Sequence, residues 1–375
     1  MRRTLTDHRT LLSGTILHLR SRRAVSRSSL AKVLGASAST LGLYVDQLVA
    51  LGLVRELGVE KISVGRPQRV LGLRSEAGWY AGLEFNAQRI QAVRVDFSGN
   101  RVATQKVDLP EDADAVQVVQ HLFQALEMLK SETPEPLLGV GVGVPGLVDR
   151  TQGMARYFTY LKNWRDIPLG EIMGKRLGVN VSLENNLRVI ALAERWFGQG
   201  GGLDDYMVLG PRSGLGLGIV QRGELVRGSH EQAGEIGFWT WPHVSDSLPI
   251  QDFLSAQSVY RRLAGLSATA ILPNDLQAAL SKAANPESEA WKEVVLDFAR
   301  LLRSLQLLID PQIIFLHGPL TALGHRFCSE VSSTAGALQP QMPGLSIHFV
   351  PSTLGDDAGA LGAASLAMEA WMPSI

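Results

Sequence analysis

The sequence predicts an α/β protein in which an N-terminal winged helix-turn-helix precedes a body of two lobes with a cleft between them. Three observations predict it: helical spacing followed by a hairpin pattern near the N terminus, an excess of basic residues in that same segment, and a β-β-β-α-β order that recurs approximately further on. We place the two domains at residues 1–76 and 77–375. A chain of 375 residues, 45% of them hydrophobic, can bury more than one core.

The first module begins with apolar residues at helical spacing. Ser26 or Ser28 can cap a second helix that ends at Gly35, and Ser37 can cap a third that ends at Gly52. Two helices joined by a short turn that contains glycine are typical of a helix-turn-helix. The apolar residues expected to face inward are Leu12, Ile16, Leu19, Leu30, Ala31, Val33, Leu34, Leu41, Tyr44, Val45, Leu48 and Val49.

The N-terminal residues of the third helix are the predicted contacts to base edges in the major groove of duplex DNA. They are Ser37, Ser39, Thr40 and Leu43. Because none of them is Arg, Asn or Gln, which make the bidentate contacts to bases, we expect weak base readout from this helix.

Residues 53–56 and 70–73 can pair as a wing, with SVGRPQR between them. Arg66 at this tip is predicted to enter a narrow minor groove and Arg69 to contact phosphate, although an ordinary hairpin turn would have the same pattern. Residues 1–74 contain 13 Lys and Arg but four Asp and Glu, a charge of +9 in a chain with no net charge. This segregation favours the DNA interpretation.

The body shows strand patterns from Trp79, a hairpin turn at 98–100 and an amphipathic helix at 114–130. An apolar strand then ends in VPG, and further helices are expected from about Leu187, around 251–265 and at 286–309. At Glu184-Asn185-Asn186 a strand meets a helix. Ligands bind at such junctions in α/β folds, but paired amides can also cap the helix.

Several motifs, in order, resemble the ROK family of repressors and sugar kinases along nearly the whole chain. They are SRSSLAKVLGASASTLGLYVDQLVALGLV, GRP, GVGVPGLVD, YLKNWRDIPL, LENN, SGLGLGIVQRGELVRGSHEQAGEIG, DPQIIFLHGPL and LGDDAGALGAA. The resemblance implies an actin-like body with two ribonuclease-H-like lobes. An N-terminal winged helix marks the transcriptional regulators of the family.

The resemblance also indicates that kinase chemistry is lost. ROK kinases read Glu-Asn-Asp at the strand-to-helix junction, and the Asp takes the proton of the attacking sugar hydroxyl. Asn186 stands there in this chain, and an amide has no basic site near neutral pH. The Asp-x-Gly-Gly-Thr phosphate turn is replaced by residues 84–88, EFNAQ, and the Gly-Gly pair near the adenosine by His317-Gly318. We therefore expect no catalytic residue and no cofactor.

Two further family motifs bear on the same question. The glycine-rich stretch 213–218 is better preserved, although alternating glycines also serve close packing. The family's zinc site needs a His three residues after Glu235, where Phe238 stands, and three cysteines in the next loop. The chain has one cysteine, Cys328, and His243 alone in that loop is better explained as a hydrogen-bonding residue, so no metal is expected.

What remains is a partial sugar pocket, implied by the resemblance at Gly146, Asn185, Asn186, Glu235 and Gln251, with Asp252 as the alternative to Gln251. Amides and carboxylates suit vicinal hydroxyls. Nearby aromatic residues can stack on a sugar ring or pack in the core. They are Tyr157, Tyr160, Trp164, Phe238, Trp239 and Trp241.

Together these features predict a non-catalytic, cytoplasmic DNA-binding regulator, a repressor, whose body senses a sugar or related polar ligand. Its expected partners are a duplex DNA operator, a small sugar-like effector and a second copy of itself, as a homodimer or a dimer of dimers, with no membrane. The alternatives are an active ATP-dependent sugar kinase with a DNA-binding module, and an architectural DNA binder that senses no ligand.

Overall fold

The computed structural model describes residues 8–60, 68–130, 135–241, 245–340 and 342–373. The chain forms two compact units: residues 1–184 with 363–375, and residues 185–362. The boundary at 76/77 between DNA-binding module and body stays a prediction. Among the described helices, none alone has the length and apolar composition of a membrane span, and one pair, Arg27–Leu34 with Ala38–Ala50, meets that test only when joined across a 115° bend.

The first unit begins with the predicted winged helix-turn-helix. Its two wing strands pair antiparallel, with Val54 opposite Leu73 and Glu56 opposite Leu71, so the predicted hairpin is confirmed. A short strand before the second helix adds to the same sheet through Val25 and Leu71. The elements are α1 (His8–Arg22), β1 (Val25–Ser26), α2 (Arg27–Leu34), α3 (Ala38–Ala50), β2 (Val54–Glu60) and β3 (Gln68–Leu73).

Serine caps start the two helices of the motif. The Ser26 hydroxyl accepts a hydrogen bond from the Ser29 amide at 3.2 Å, and the Ser37 hydroxyl accepts one from the Thr40 amide at 3.1 Å. Gly35 ends α2 in the left-handed conformation, with φ of +64°. The expected inward face is wrong at Val33 and Val49, which are 59% and 39% exposed. Both lie at the edge of an apolar stripe, where helical spacing alone does not decide burial.

Arg20 at the end of α1 fastens the winged helix to the first lobe. Its guanidinium is buried and donates to the carbonyl oxygens of Phe97 and Met368 at 3.1–3.2 Å and to the Tyr80 hydroxyl at 3.2 Å. It also lies over the Tyr80 and Phe97 rings, 5.2 and 5.4 Å from their centroids. Burial lowers the pKa of Arg20 and raises the pKa of Tyr80 to about 12.

The first lobe is a mixed sheet whose strands lie in the order Val181–Asn185, Leu137–Val144, Trp79–Phe85, Arg89–Asp96 and Arg101–Asp108. The central strand of the five pairs parallel with the second and antiparallel with the fourth. Its core includes Phe85, Leu122, Val142 and Trp164. Asp114 caps the helix as part of a capping box with Gln117. The elements are β4 (Trp79–Phe85), β5 (Arg89–Asp96), β6 (Arg101–Asp108), α4 (Ala115–Leu129), β7 (Leu137–Val144), β8 (Leu147–Asp149), β9 (Met154–Tyr157), β10 (Arg165–Ile167), α5 (Leu169–Leu177) and β11 (Val181–Asn185).

The second unit repeats the plan around a sheet whose strands lie in the order Glu224–Leu225, Leu215–Gln221, Tyr206–Pro211, Ile313–Leu316 and Phe349–Pro351, with the last three parallel. The helix expected around 251–265 is two helices, because Ser255 ends one and caps the next. The elements are α6 (Asn186–Phe197), β12 (Tyr206–Pro211), β13 (Leu215–Gln221), β14 (Glu224–Leu225), β15 (Thr240–Trp241), β16 (Ser245–Pro249), α7 (Gln251–Leu254), α8 (Ala256–Leu263), α9 (Leu276–Ala283), α10 (Glu289–Ile309), β17 (Ile313–Leu316), α11 (Gly324–Ala337) and β18 (Phe349–Pro351). The last helix, α12 (Ala358–Ala370), begins in the second unit, and its residues from 363 onward belong to the first.

Candidate functional site

The two amides at the strand-to-helix junction have different roles. Asn185 ends β11 and caps α6: its side-chain oxygen accepts a hydrogen bond from the Leu187 amide at 2.9 Å. Asn186 is the first residue of the helix and is half-buried. A helix-capping role therefore accounts for Asn185, whereas Asn186 makes no capping bond among the contacts that define this helix end.

Glu235 is held by glycines on both sides. Gly234 has φ of +93°, and a Cβ atom there would lie 1.9 Å from the Leu217 carbonyl oxygen. A Cβ atom at Gly237 would lie 2.5 Å from the Leu215 carbonyl oxygen. Since both distances are far below van der Waals contact, only glycine lets this segment lie against β13. The AGEIG sequence thus fixes the backbone that carries the Glu235 carboxylate.

Arg188 is a candidate site residue that the sequence motifs do not indicate. It is buried on α6, and its guanidinium bonds to the Glu231 carboxylate and to the Glu231 carbonyl oxygen, each at 2.6 Å. Burial raises the pKa of the Glu235 carboxyl, and the positive charge of Arg188 opposes that rise. A cation in the first turn of a helix is disfavoured by the helix dipole, and this signal could have pointed to an acidic partner.

Gln251 completes the group within the second unit. It is the first residue of α7, and its side-chain oxygen would lie 2.9 Å from a Cβ atom at Gly237 and 3.0 Å from one at Gly214. The Gln251 amide therefore lies beside the glycine that follows Glu235 by two residues. Within the second unit, Gln251 thus lies beside Gly237, and the charge of Arg188 acts on the Glu235 carboxyl.

Gly146, the remaining predicted pocket residue, belongs to the first unit. Its φ is +75°, and a Cβ atom would lie 2.2 Å from the Tyr157 carbonyl oxygen, so the backbone alone requires glycine there. Of the predicted aromatic residues, Trp164 is a core residue, with its ring 5.1 Å from Phe85. The others range from half-buried to exposed: Tyr157, Tyr160, Phe238, Trp239 and Trp241.

The turn between β4 and β5, where the family's kinases bind phosphate, satisfies its own amides. The Asn86 side-chain oxygen accepts hydrogen bonds from the Gln88 amide at 2.8 Å and from the Arg89 amide at 3.0 Å. The Asn86 amide in turn donates to the Arg89 carbonyl oxygen. These amides are therefore already occupied and do not form an open anion nest.

The glycines around the second phosphate motif serve packing against α6. A Cβ atom at Gly210 would lie 2.2 Å from the Leu187 side chain, and one at Gly216 would lie 3.1 Å from it. At Gly218 it would lie 2.6 Å from the Leu187 carbonyl oxygen and 2.9 Å from Ala191 Cβ. The close approach of helix to sheet explains these glycines without a nucleotide.

His317 follows β17 at the position of the family's first adenosine glycine. Its ring is buried, and Nε2 lies 3.2 Å from the Gly355 carbonyl oxygen. Because a carbonyl only accepts, Nε2 carries the proton, and Nδ1 finds no hydrogen-bond partner among the described residues. Burial, helped by the charge of Arg212, lowers the pKa of His317 to about 4, so the ring is neutral at physiological pH.

The residues present do not fit the family's zinc site. Phe238, 69% exposed, stands at the His position. Within the described ranges no three His, Cys, Asp or Glu side chains gather as metal ligands. His243 lies outside the described residues.

The predicted DNA-contacting residues of α3 lie on an exposed helix start. Ser37, Ser39 and Thr40 are exposed, and the Ser37 hydroxyl is hydrogen-bonded to the Ser39 hydroxyl at 2.9 Å and to the Thr40 hydroxyl at 2.8 Å. Leu43 is 74% exposed. Arg69 on the wing is exposed but forms an ion pair with Glu56 at 2.9 Å. Arg66 lies outside the described residues.

Comparison with known proteins supports the resemblance to the ROK family. The profile described as ROK family matches residues 80–370. The chain is 28% identical over 221 residues to a protein of Caldicellulosiruptor bescii named xylose repressor, covering 58% of this chain but only 55% of that protein. It is 25% identical over 377 residues to the xylose repressor of Bacillus spizizenii, covering 94% of this chain and 93% of that protein. A crystal structure of a ROK family transcriptional regulator, described as a homologue of the E. coli MLC protein, covers 96% of each chain with a TM-score of 0.79 and 20% identity.

Proposed function

Because this chain belongs to the ROK family, we propose that it is a sugar-responsive transcriptional repressor without kinase activity. One observation carries the proposal: a winged helix precedes the ROK body, and the similarity to a protein named xylose repressor extends over 94% of this chain. A match of that extent necessarily includes much of the winged helix. The proposed partners are an operator in duplex DNA, a sugar, and a second copy of the chain, since paired half-sites need two DNA-binding modules.

The DNA-binding part of the proposal rests on charge and exposure. The +9 charge of residues 1–74 supplies the salt-dependent attraction to phosphates. The exposed start of α3 would face the bases, where the Leu43 side chain suits the methyl group of thymine. Arg66 would supply minor-groove contact at the wing tip, while Arg69 would exchange its pairing with Glu56 for a phosphate.

The absence of kinase activity is proposed from the base and from the phosphate turn. A positioned general base contributes roughly 10²–10⁴-fold to the reaction rate, and the side-chain amide of Asn186 cannot act as one. The Asn86 side chain occupies the amides that would otherwise approach phosphate. The alternative of an active sugar kinase would need both functions from other groups.

The effector pocket is proposed around Glu235, Gln251, Asn186 and Arg188, all of which belong to the second unit. Glu235 is the group best suited to bind a sugar hydroxyl. Burial raises the pKa of its carboxyl because the carboxylate is partly removed from water, and a hydroxyl donor would replace the lost hydrogen bonds. Two of the similar proteins are named xylose repressor, which makes xylose the first sugar to test.

The test uses full-length protein and duplexes that it selects from a randomised library, with affinity measured by fluorescence anisotropy with and without xylose, glucose and other common sugars. We expect one sugar to weaken DNA binding in the wild type. Glu235→Ala should leave DNA affinity without sugar nearly unchanged. It should weaken the affinity for the sugar, read from the concentration that releases DNA, about ten- to a hundredfold. Glu224→Ala removes an exposed carboxylate on β14 of the same unit and should behave as wild type.

Three results would contradict the proposal. If no selected duplex emerges, the repressor function is wrong. If DNA binds but no sugar changes its affinity or the thermal stability of the protein, the chain is an architectural DNA binder. If sugar acts equally on wild type and Glu235→Ala, the sensing site lies elsewhere.

A further inference from the structure

A small cavity lies where the winged helix meets the first lobe. Its volume is about 150 Å³, and all of its walls belong to the same compact unit. The walls come from the end of α1, from the base of the wing and from the turn between β5 and β6. The lining residues are Leu19, Arg23, Arg55, Leu57, Gly72, Leu73, Ser98 and Asn100.

Two arginines give the cavity its charge. Arg23 follows α1 with φ of +62°, and its amide donates to the Leu19 carbonyl oxygen at 2.8 Å, so a non-glycine residue holds a left-handed helix end. Arg55 lies on β2, opposite Gly72. Both are exposed, and in the part of the chain that the structure describes neither has an ion-pair partner.

Two acidic side chains close in sequence to the lining residues, Glu56 and Asp96, already have partners. The Glu56 carboxylate pairs with Arg69 at 2.9 Å and with Arg27 at 3.7 Å. The Asp96 carboxylate accepts hydrogen bonds from the amide and from the side chain of Asn100, each at 2.9 Å. Among the described residues neither carboxylate forms an ion pair with Arg23 or Arg55, so both guanidinium groups are available to a ligand.

The rest of the wall is partly apolar. Leu19, Leu57 and Leu73 supply hydrocarbon surface, and Ser98 and Asn100 add polar groups at one side. A volume of roughly 150 Å³ accommodates a molecule the size of benzene. A ligand that suits both parts has one anionic group and a hydrocarbon part of about that size.

We propose that this cavity binds a small organic carboxylate, whose carboxylate is held by Arg23 and Arg55 and whose hydrocarbon part lies against the three leucines. Arginine suits this ligand because its planar guanidinium matches a carboxylate in geometry. The site is separate from the proposed sugar pocket and does not depend on it. Since the walls come from both the DNA-binding module and the lobe, an occupant touches both.

The test is calorimetric titration of the full-length protein with benzoate and with its neutral isostere benzamide, at constant ionic strength. We expect benzoate to bind and benzamide to bind at least tenfold more weakly. Arg23→Gln and Arg55→Gln should each weaken benzoate about tenfold or more. Arg22→Gln removes the same charge one residue away, from an exposed side chain that does not line the cavity, and should change benzoate affinity less than twofold.

Equal binding of benzoate and benzamide would overturn the proposal, as would equal losses in Arg22→Gln and the two cavity variants. Inorganic phosphate serves as an anion without a hydrocarbon part, and phosphate binding as tight as benzoate would show a general anion site instead. If the variants leave benzoate binding unchanged but reduce the salt dependence of DNA binding, the two arginines are phosphate contacts and the proposal is wrong. A failure of DNA binding alone would leave the benzoate result intact and would count against the repressor function only.

Discussion

Acidification should destabilise the protein through His317. The pKa is 6.5 for an unperturbed histidine and about 4 for this buried ring, so as the pH falls the unfolded chain takes up the proton first. The contribution of the neutral ring is complete above pH 6.5 and is lost progressively as the pH falls towards 4. Between pH 7.5 and pH 5.0 the loss in the free energy of unfolding comes to about 2 kcal/mol.

The measurement is urea unfolding of wild type and His317→Gln, followed by circular dichroism at the two pH values. Glutamine keeps a donor for the Gly355 carbonyl oxygen and does not titrate, so the variant should lose about 2 kcal/mol less than the wild type over this range. His348→Gln, at an exposed position in the same unit, should keep the wild-type pH dependence. The reasoning is refuted if His317→Gln and wild type lose stability equally, because the ring would then be protonated as readily in the folded state as in the unfolded one.

Three further predictions concern the DNA surface, the lost base and the helix packing. Affinity for duplex DNA should fall steeply between low and moderate salt, and Arg66→Ala should weaken binding most at A/T-rich duplexes, as anisotropy would show; a flat salt dependence contradicts this. A coupled assay with ATP and hexoses should find no phosphorylation by wild type or by Asn186→Asp, and turnover by either is the contrary result. Gly362→Ala would place Cβ 1.6 Å from the Val189 carbonyl oxygen, and it should lower the free energy of unfolding by about 3 kcal/mol or more. The control is Gly336→Ala, where the new Cβ atom would have no neighbour within 4 Å; this variant should be neutral or slightly stabilising.

The winged helix could be predicted from the sequence because its signals are local. Ser26 and Ser37 cap their helices through contacts three residues away, and Gly35 ends a helix through its own backbone conformation. Val33 and Val49 were misplaced because their exposure depends on what packs beside the helix. Periodicity predicts that a helix has an apolar face, but tertiary contacts decide how wide that face is.

The candidate site was predictable only in part, for the same physical reason. The segment around Glu235 is recognisable from the family resemblance. Its position against β13 depends on a hydrogen bond from the Leu217 amide to the Gly234 carbonyl oxygen, between residues 17 apart, which the sequence does not indicate. The pairing of Arg188 with Glu231 joins residues 43 apart and gave no local pattern. The sequence of the second phosphate motif is compatible with either phosphate binding or close packing, and the contacts of its glycines with Leu187 show the packing role.

Arg20 also limits how this protein can exchange its parts. A transplanted DNA-binding module from another regulator would have to bring a long cation to the same place, because the carbonyl oxygens of Phe97 and Met368 and the Tyr80 hydroxyl would otherwise lose their donor in a buried setting. A body expressed alone would uncover the Tyr80 and Phe97 rings to water. A chimaera built on this body should therefore keep its own α1, His8–Arg22, and replace only residues that follow this helix.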